Sequence, residues 1–293
     1  MLMRVKDGIS ETNLSLIAAG VAFYAFLAIP FGFAALVAAY GLVFDPADVG
    51  RQVDAMSGIL PEQVVRLLGE QLAGLTAKPP VSLGIGFLIS FGVALWSSRS
   101  AMSSLMTALN IVYEEKEKRG FIRFQASALL LTVAAVIAAL VSLGLIAVIP
   151  AVVELVPLGD VGKLIASIGR WPVLAALVLF GLAALYRYAP SREAPRWRWV
   201  SWGATAAGGL WLLASVAFSL YVSEYAAYDK TYGSLGAVVV LLLWLYLSMF
   251  AVLLGAEINA QLEHQTARDS TTGRPAPLGA RGATMADTVG QAH

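Results

Sequence analysis

The chain has 293 residues, of which 58% are apolar and 13% charged, with a mean hydropathy of +0.74; a soluble domain carries about 25% charge. This composition excludes an ordinary soluble protein and points to a polytopic membrane protein, while a net charge of +1, with Lys and Arg not concentrated on one face, gives no sign of a polyanionic partner, so no nucleic acid is expected. With no cysteine there are neither disulfides nor thiolate metal sites.

Arg4 and Lys6 precede an apolar run that is too long for a signal-peptide core and has no cleavage site, so it reads as an uncleaved first span. Six spans are predicted, at about Leu14 to Val43, Val81 to Met106, Phe124 to Ile149, Trp171 to Tyr188, Val200 to Val222 and Leu235 to Gln261. All six must be helices, because a lone strand would leave backbone groups unpaired in lipid. Thirteen Lys and Arg fall on the side of the two termini and six on the other, with Arg99 inside the second span. The positive-inside rule then puts both termini in the cytoplasm. The expected organisation is an all-α, six-helix membrane domain over residues 1–263 and a disordered cytoplasmic tail over 264–293, whose Thr, Gly, Pro and Ala content argues against structure.

The first outer loop, Asp45 to Pro80, reads as two amphipathic helices that lie on the membrane, cap the bundle or act as a lid. Asp45 and Asp48 at its start are expected helix caps. The second outer loop, "PAVVELVPLGDVGKLIASIG", is shorter and similar. Between spans five and six lies a polar knot, Tyr228-Asp229-Lys230-Thr231-Tyr232-Gly233. Its tyrosines suit a membrane interface, either as a headgroup-sized site or as an aromatic-anchored turn.

Within the spans, Pro30 and Gly32 are expected to kink or break the first helix, as a transport site would or as packing of a long helix would. Ionisable groups in the bilayer are costly and therefore informative. Arg99 and Glu257 are the two that matter, and both are expected near the cytoplasmic interface, either paired in a polar pocket with Asn259 or each snorkelling alone. A serine-rich face of Ser97, Ser98, Ser100, Ser103 and Ser104 suits a wet crevice or packing against another polar helix end. The run "YEEKEKRGFIR" reads as a solvated loop, and Arg196, Trp197, Arg198 and Trp199 as an interfacial anchor for anionic lipid headgroups. No metal-ligand cluster, phosphate loop or nucleophile elbow is present, and the two histidines sit at or in the tail, so no catalytic residue, metal or other cofactor is expected.

The blocks "AAGVAFYAFLAIP", "ALWSSRSAMSSLMTALNIVYEEKEKRGFIR", "TYGSLGAV" and "LLGAE" resemble the YihY/BrkB family of bacterial inner-membrane proteins, over about Ala18 to Glu263. Pro30-Phe31 stands where relatives usually read Phe-Pro, and Asp229 where Asn is common. The resemblance implies six spans with both termini inside, and a role as an envelope or virulence factor for which transport of lipids has been proposed. The older ribonuclease label fits badly, because an RNA hydrolase needs clustered acids, histidines or metal ligands. The expected function is a non-enzymatic passage for a lipid or another hydrophobic envelope molecule, along a path through Arg99, Ser103, Tyr228, Asp229, Tyr232, Glu257 and Asn259. The alternative is a membrane scaffold packed through Ala204 and Gly208, with a second copy or an envelope protein as partner.

Overall fold

The computed structural model describes residues 2–43, 80–148, 159–224 and 235–290. The expected helices of the first outer loop, over 45–79, and the knot with Tyr228, Asp229 and Tyr232 lie outside the described residues. Among the described residues every element is helical: α1 Leu2–Glu11, α2 Leu14–Val43, α3 Pro80–Val112, α4 Phe121–Leu143 with a π-helical turn Gly144–Val148, α5 Gly159–Tyr188, α6 Trp197–Glu224, α7 Leu235–His264 and α8 Thr284–Asp287. Among the described residues four stretches are long and apolar enough to cross a membrane, Phe121–Ile146, Ile168–Tyr188, Trp197–Val222 and Val238–His264. The pair Met3–Glu11 and Leu14–Pro30, bent by 60°, makes a fifth if it is one span. The expected second span, Val81 to Met106, is helical within α3.

The break falls at Thr12 and Asn13, not at Pro30. Asn13 takes φ 51°, a left-handed conformation that asparagine tolerates because its short polar side chain is easily accommodated. Thr12 closes the end of α1 by giving both its N–H and its Oγ1–H to the Gly8 carbonyl, at 3.0 and 2.7 Å. By contrast α2 runs unbroken through Pro30 and Gly32; proline removes one hydrogen bond, and in lipid the flanking backbone has no solvent to pair with and stays helical.

The chain divides into two compact units, residues 1–26 with 102–293, and residues 27–101. The first unit holds the core, made where Leu14 and Ala18 of α2, Met106 and Leu109 of α3, Tyr186 of α5, Ala204 of α6 and Leu253 of α7 meet. Of the apolar window of α7, 28% is buried, against 6 to 11% in α4, α5 and α6. That makes α7 the most buried of the four, packed against α6, α1 and α8. The outer faces of α4, α5 and α6 expose Leu130, Ile137, Phe180, Leu213 and Val216, a surface suited to lipid and not to water.

Helix α6 lies closest to α7, through glycine. A Cβ on Gly203 would fall on the Gly255 carbonyl, and a Cβ on Gly255 would meet the Gly203 carbonyl, Ala207 Cβ and the Tyr186 hydroxyl within 2.6 Å. The small-residue face expected from Ala204 and Gly208 is present, with Ala204 buried and Gly208 against Leu179. Its tightest point is the Gly203–Gly255 crossing.

Candidate functional site

Polar chemistry in the first unit gathers at the end of the bundle that carries the two termini and most of the Lys and Arg, hereafter the basic end. The α3–α4 loop and the α5–α6 loop are knitted there. Asn110 accepts the Ser191 N–H at 2.7 Å and donates to Glu117 at 2.9 Å. Ser191 Oγ accepts the Lys118 N–H at 2.9 Å, and Arg119 donates to the Ala189 carbonyl at 2.8 Å. The run expected as a solvated loop is therefore a structured one, and Glu115 within it has a side chain only 1% exposed.

Beneath these loops Arg192 and Glu263 form an ion pair with both side chains 1% exposed. The guanidinium of Arg192 also lies 4.0 Å above the Tyr113 ring. Burial alone would lower the pKa of Arg192, but Glu263 and then Tyr113 outweigh it and hold the guanidinium charged. This pair was invisible in the sequence, where each residue was one charge beyond a span.

Glu117 gives a pH prediction. Burial pushes its carboxyl up, yet the Arg119 side chain and amide, with Asn110, hold it down at about 2. A depressed carboxyl stabilises the fold above its ordinary value of 4.5 and loses that contribution as pH falls through about 2. Glu117→Gln should therefore flatten the fall in thermal midpoint between about pH 4.5 and 2. Superimposable curves for the two proteins would refute the assignment.

Within the first unit Glu257 and Asn259 separate. Glu257 is 1% exposed; its carboxylate accepts from Gln261 at 2.9 Å and lies against Gly8 of α1, where a Cβ would overlap it. Asn259 does not share that pocket. It accepts the Gly203 N–H at 2.7 Å and donates to the Val200 carbonyl at 3.3 Å, binding α7 to α6. Arg99 belongs to the second unit, with its guanidinium 4.1 Å above the Trp96 ring. Ser103 Oγ is buried without a hydrogen-bond partner. Of the aromatic-basic cluster, Trp197 stacks on Phe180 at 5.4 Å with Arg187 4.8 Å above it. Arg196 is spent elsewhere, donating from Nε to the Thr271 carbonyl at 3.0 Å.

Two hollows follow the seam between the N-terminal helices and α7. At the basic end Arg4, Asp7, Glu11, Glu114, Gln261 and His264 line a polar crevice of about 200 Å³. Farther along, Ala19 and Ala22 of α2 with Val239, Leu242, Leu243 and Tyr246 of α7 line an apolar groove of about 310 Å³. Sequence reading missed the crevice because α1 was taken as charged flank; Leu2, Val5 and Ile9 at helical spacing were its signal.

A family model described as virulence factor BrkB matches residues 5–278. The chain belongs to the BrkB family. Among its relatives is a putative ribonuclease-like protein, YfkH, of Bacillus subtilis, 38% identical over 60% of this chain and 66% of that protein. A UPF0761 membrane protein of Idiomarina loihiensis is 29% identical over 75% of each chain, and one of Pseudoalteromonas translucida is 27% identical over 74% of this chain and 68% of its own. No solved structure matches. The block "LLGAE" that marked the BrkB resemblance now has a physical content: Gly255 makes the α6 crossing, Ala256 fills the core, and Glu257 faces Gly8.

The tail of this BrkB-family protein differs from expectation. Residues 265–290 fold back on the basic end. Composition suggested disorder because apolar residues are few, but the segment is held mainly by polar contacts. Arg281, 7% exposed, donates to the carbonyls of Ala267, Ala276 and Ala286, and Pro195 and Thr271 form an antiparallel bridge.

Proposed function

We propose that this BrkB-family protein gives a membrane lipid, or a like amphiphile, passage along a helix seam in the bacterial inner membrane, with both termini in the cytoplasm and without enzymatic chemistry. The observation that supports the reading is the pairing of polar crevice and apolar groove on one seam. Tyr246 and Gln261 stand fifteen positions apart on α7, about 22 Å at ~1.5 Å per residue. Half of a bilayer of about 40–45 Å spans a similar distance. An amphiphile with its headgroup among Arg4, Asp7 and His264 would therefore carry its acyl end to the groove. Mixed charge in the crevice suits a zwitterionic headgroup, and the small side chains of Ala19 and Ala22 leave room for a chain. The ribonuclease-like name belongs to the Bacillus subtilis relative, and nothing in the seam calls for that chemistry here.

The test is scrambling of headgroup-labelled phospholipids in proteoliposomes. The wild-type chain should accelerate flipping, Ala19→Trp should slow it about tenfold by filling the groove, and Leu213→Trp on the outer face of α6 should leave it unchanged. Arg99→Ala and Tyr232→Ala in the same series report whether the path extends past the seam. No protein-dependent flipping of any phospholipid, or equal rates for Ala19→Trp and wild type, overturns the reading.

A further inference from the structure

The folded-back tail is built as a piece of its own. Around Arg281 the carbonyls of Ala267, Arg268, Ala276 and Ala286 converge at 2.7 to 3.3 Å. The carboxylate of Asp287 accepts the N–H groups of Arg281 and Gly282 at 2.7 and 3.0 Å. Gly279 and Gly282 take φ 87° and 74°, turns that a side chain would resist. These bonds are internal to the tail and would survive its departure from the bundle.

Its attachments are fewer and of a different kind. Arg196 gives its N–H to the Ser270 carbonyl at 2.8 Å, Thr272 to Ala194 at 2.9 Å, Glu193 to Gly282 at 3.2 Å and Gly290 to His264 at 2.9 Å. Met285 is the tail's contribution to the core cluster, 2% exposed. The Thr284 N–H, at the start of α8, donates to Glu115 Oε1 at 2.6 Å. One segment thus grips the α5–α6 loop, the α3–α4 loop and the end of α7.

Glu115 is where this grip bears on the bundle. Its buried carboxylate has the exposed Lys118 at 2.9 Å, and it acts electrostatically on both Arg192 and Glu263. Two acids therefore share the field of one buried guanidinium, and the Thr284 amide gives the second acid a donor. Without that donor, keeping Glu115 inside becomes costly, and the α3–α4 loop that carries it is freed.

We propose that residues 266–290 are a strap that closes the basic end of the helix unit and comes away as one piece, with the Thr284–Glu115 contact as its catch. Docked, it adds a second tie between the α3–α4 and α5–α6 loops over the ion pair, beside their own bonds through Asn110, Ser191 and Arg119; released, it loosens that end. Its effect on lipid passage rests on the function proposed above, while its effect on the loops does not.

The chain has no cysteine, so introduced thiols report cleanly. Thr284→Pro removes the catch's N–H while leaving the internal bonds, since proline is tolerated at the first position of a helix. In inverted membranes Met285→Cys should react with an impermeant maleimide about tenfold more slowly than Leu278→Cys, which is exposed. Adding Thr284→Pro or Arg281→Ala should erase that protection. Spin labels on Lys116→Cys and Arg198→Cys, both at exposed positions, should then show a longer and broader distance, and scrambling should rise. Equal labelling of positions 285 and 278 in the otherwise native chain overturns the strap, as does release with no change in the loop distance. A loop distance that responds while no variant scrambles lipid supports the strap and refutes the passage.

Discussion

Replacing Arg192 by methionine should lower stability by about 3–5 kcal/mol, the cost of leaving a buried charge without its partner. Glu263 would remain with a side chain 1% exposed, and Glu115 acts on it as a second acid. Neither can reach water without dragging the end of α7 or the α3–α4 loop with it. The double change Arg192→Met with Glu263→Gln should recover most of the loss, because removing both charges removes the penalty that either leaves behind. Thermal midpoints of the detergent-purified proteins read this directly, with Arg198→Met at an exposed position as the control. A single Arg192 variant no less stable than that control would sink the argument, as would a double variant worse than either single.

The same pair explains why the sequence was legible in some places and silent in others. Long apolar runs are nearly sufficient to specify a membrane helix, since lipid leaves the backbone no other way to pair. The helices at Leu14, Phe121, Trp197 and Leu235 accordingly begin within a few residues of where hydropathy puts the spans. Proline did not break α2, because a residue that breaks helices in water is held in one by the lack of alternatives in lipid. The basic end was opaque for a different reason. Arg192 and Glu263 are 71 positions apart and Glu115 and Thr284 169 apart; no local spacing joins them. The tail was misread for a related reason, since Arg281 finds its partners in backbone carbonyls, which every sequence has.

Placement also changes the meaning of residues that were correctly singled out. Glu257 and Asn259 are two positions apart on a helix and so point to different sides. Glu257 faces Gly8 beneath the crevice, while Asn259 is bonded into the backbone of α6. The first is buried against α1, next to the crevice-lining Gly8 and Gln261. The second fixes the walls. A substitution at Asn259 that slows passage would therefore report loss of the α6–α7 contact and should be read together with stability.

That contact carries the other large effect. Gly203→Ala and Gly255→Ala should each destabilise the protein by about 1–3 kcal/mol through overpacking. At either position the new methyl meets a backbone carbonyl of the facing helix, which cannot swing aside as a side chain would. The helices must separate, and separation breaks more than the glycine contact. The bonds from Asn259 to Gly203 and Val200 lengthen, and the Tyr186 hydroxyl, which donates to the Val252 carbonyl at 2.7 Å, is displaced. Because the first methyl already forces the opening, the second meets a wider gap, and the double variant should cost clearly less than the sum of the singles. Gly209→Ala on the same helix α6, where nothing lies within 4 Å of an added Cβ, should be neutral or slightly stabilising from helix propensity. Thermal midpoints for the four variants decide it: strictly additive losses, or a loss at Gly209 equal to that at Gly203, would mean that the two helices do not cross at these glycines.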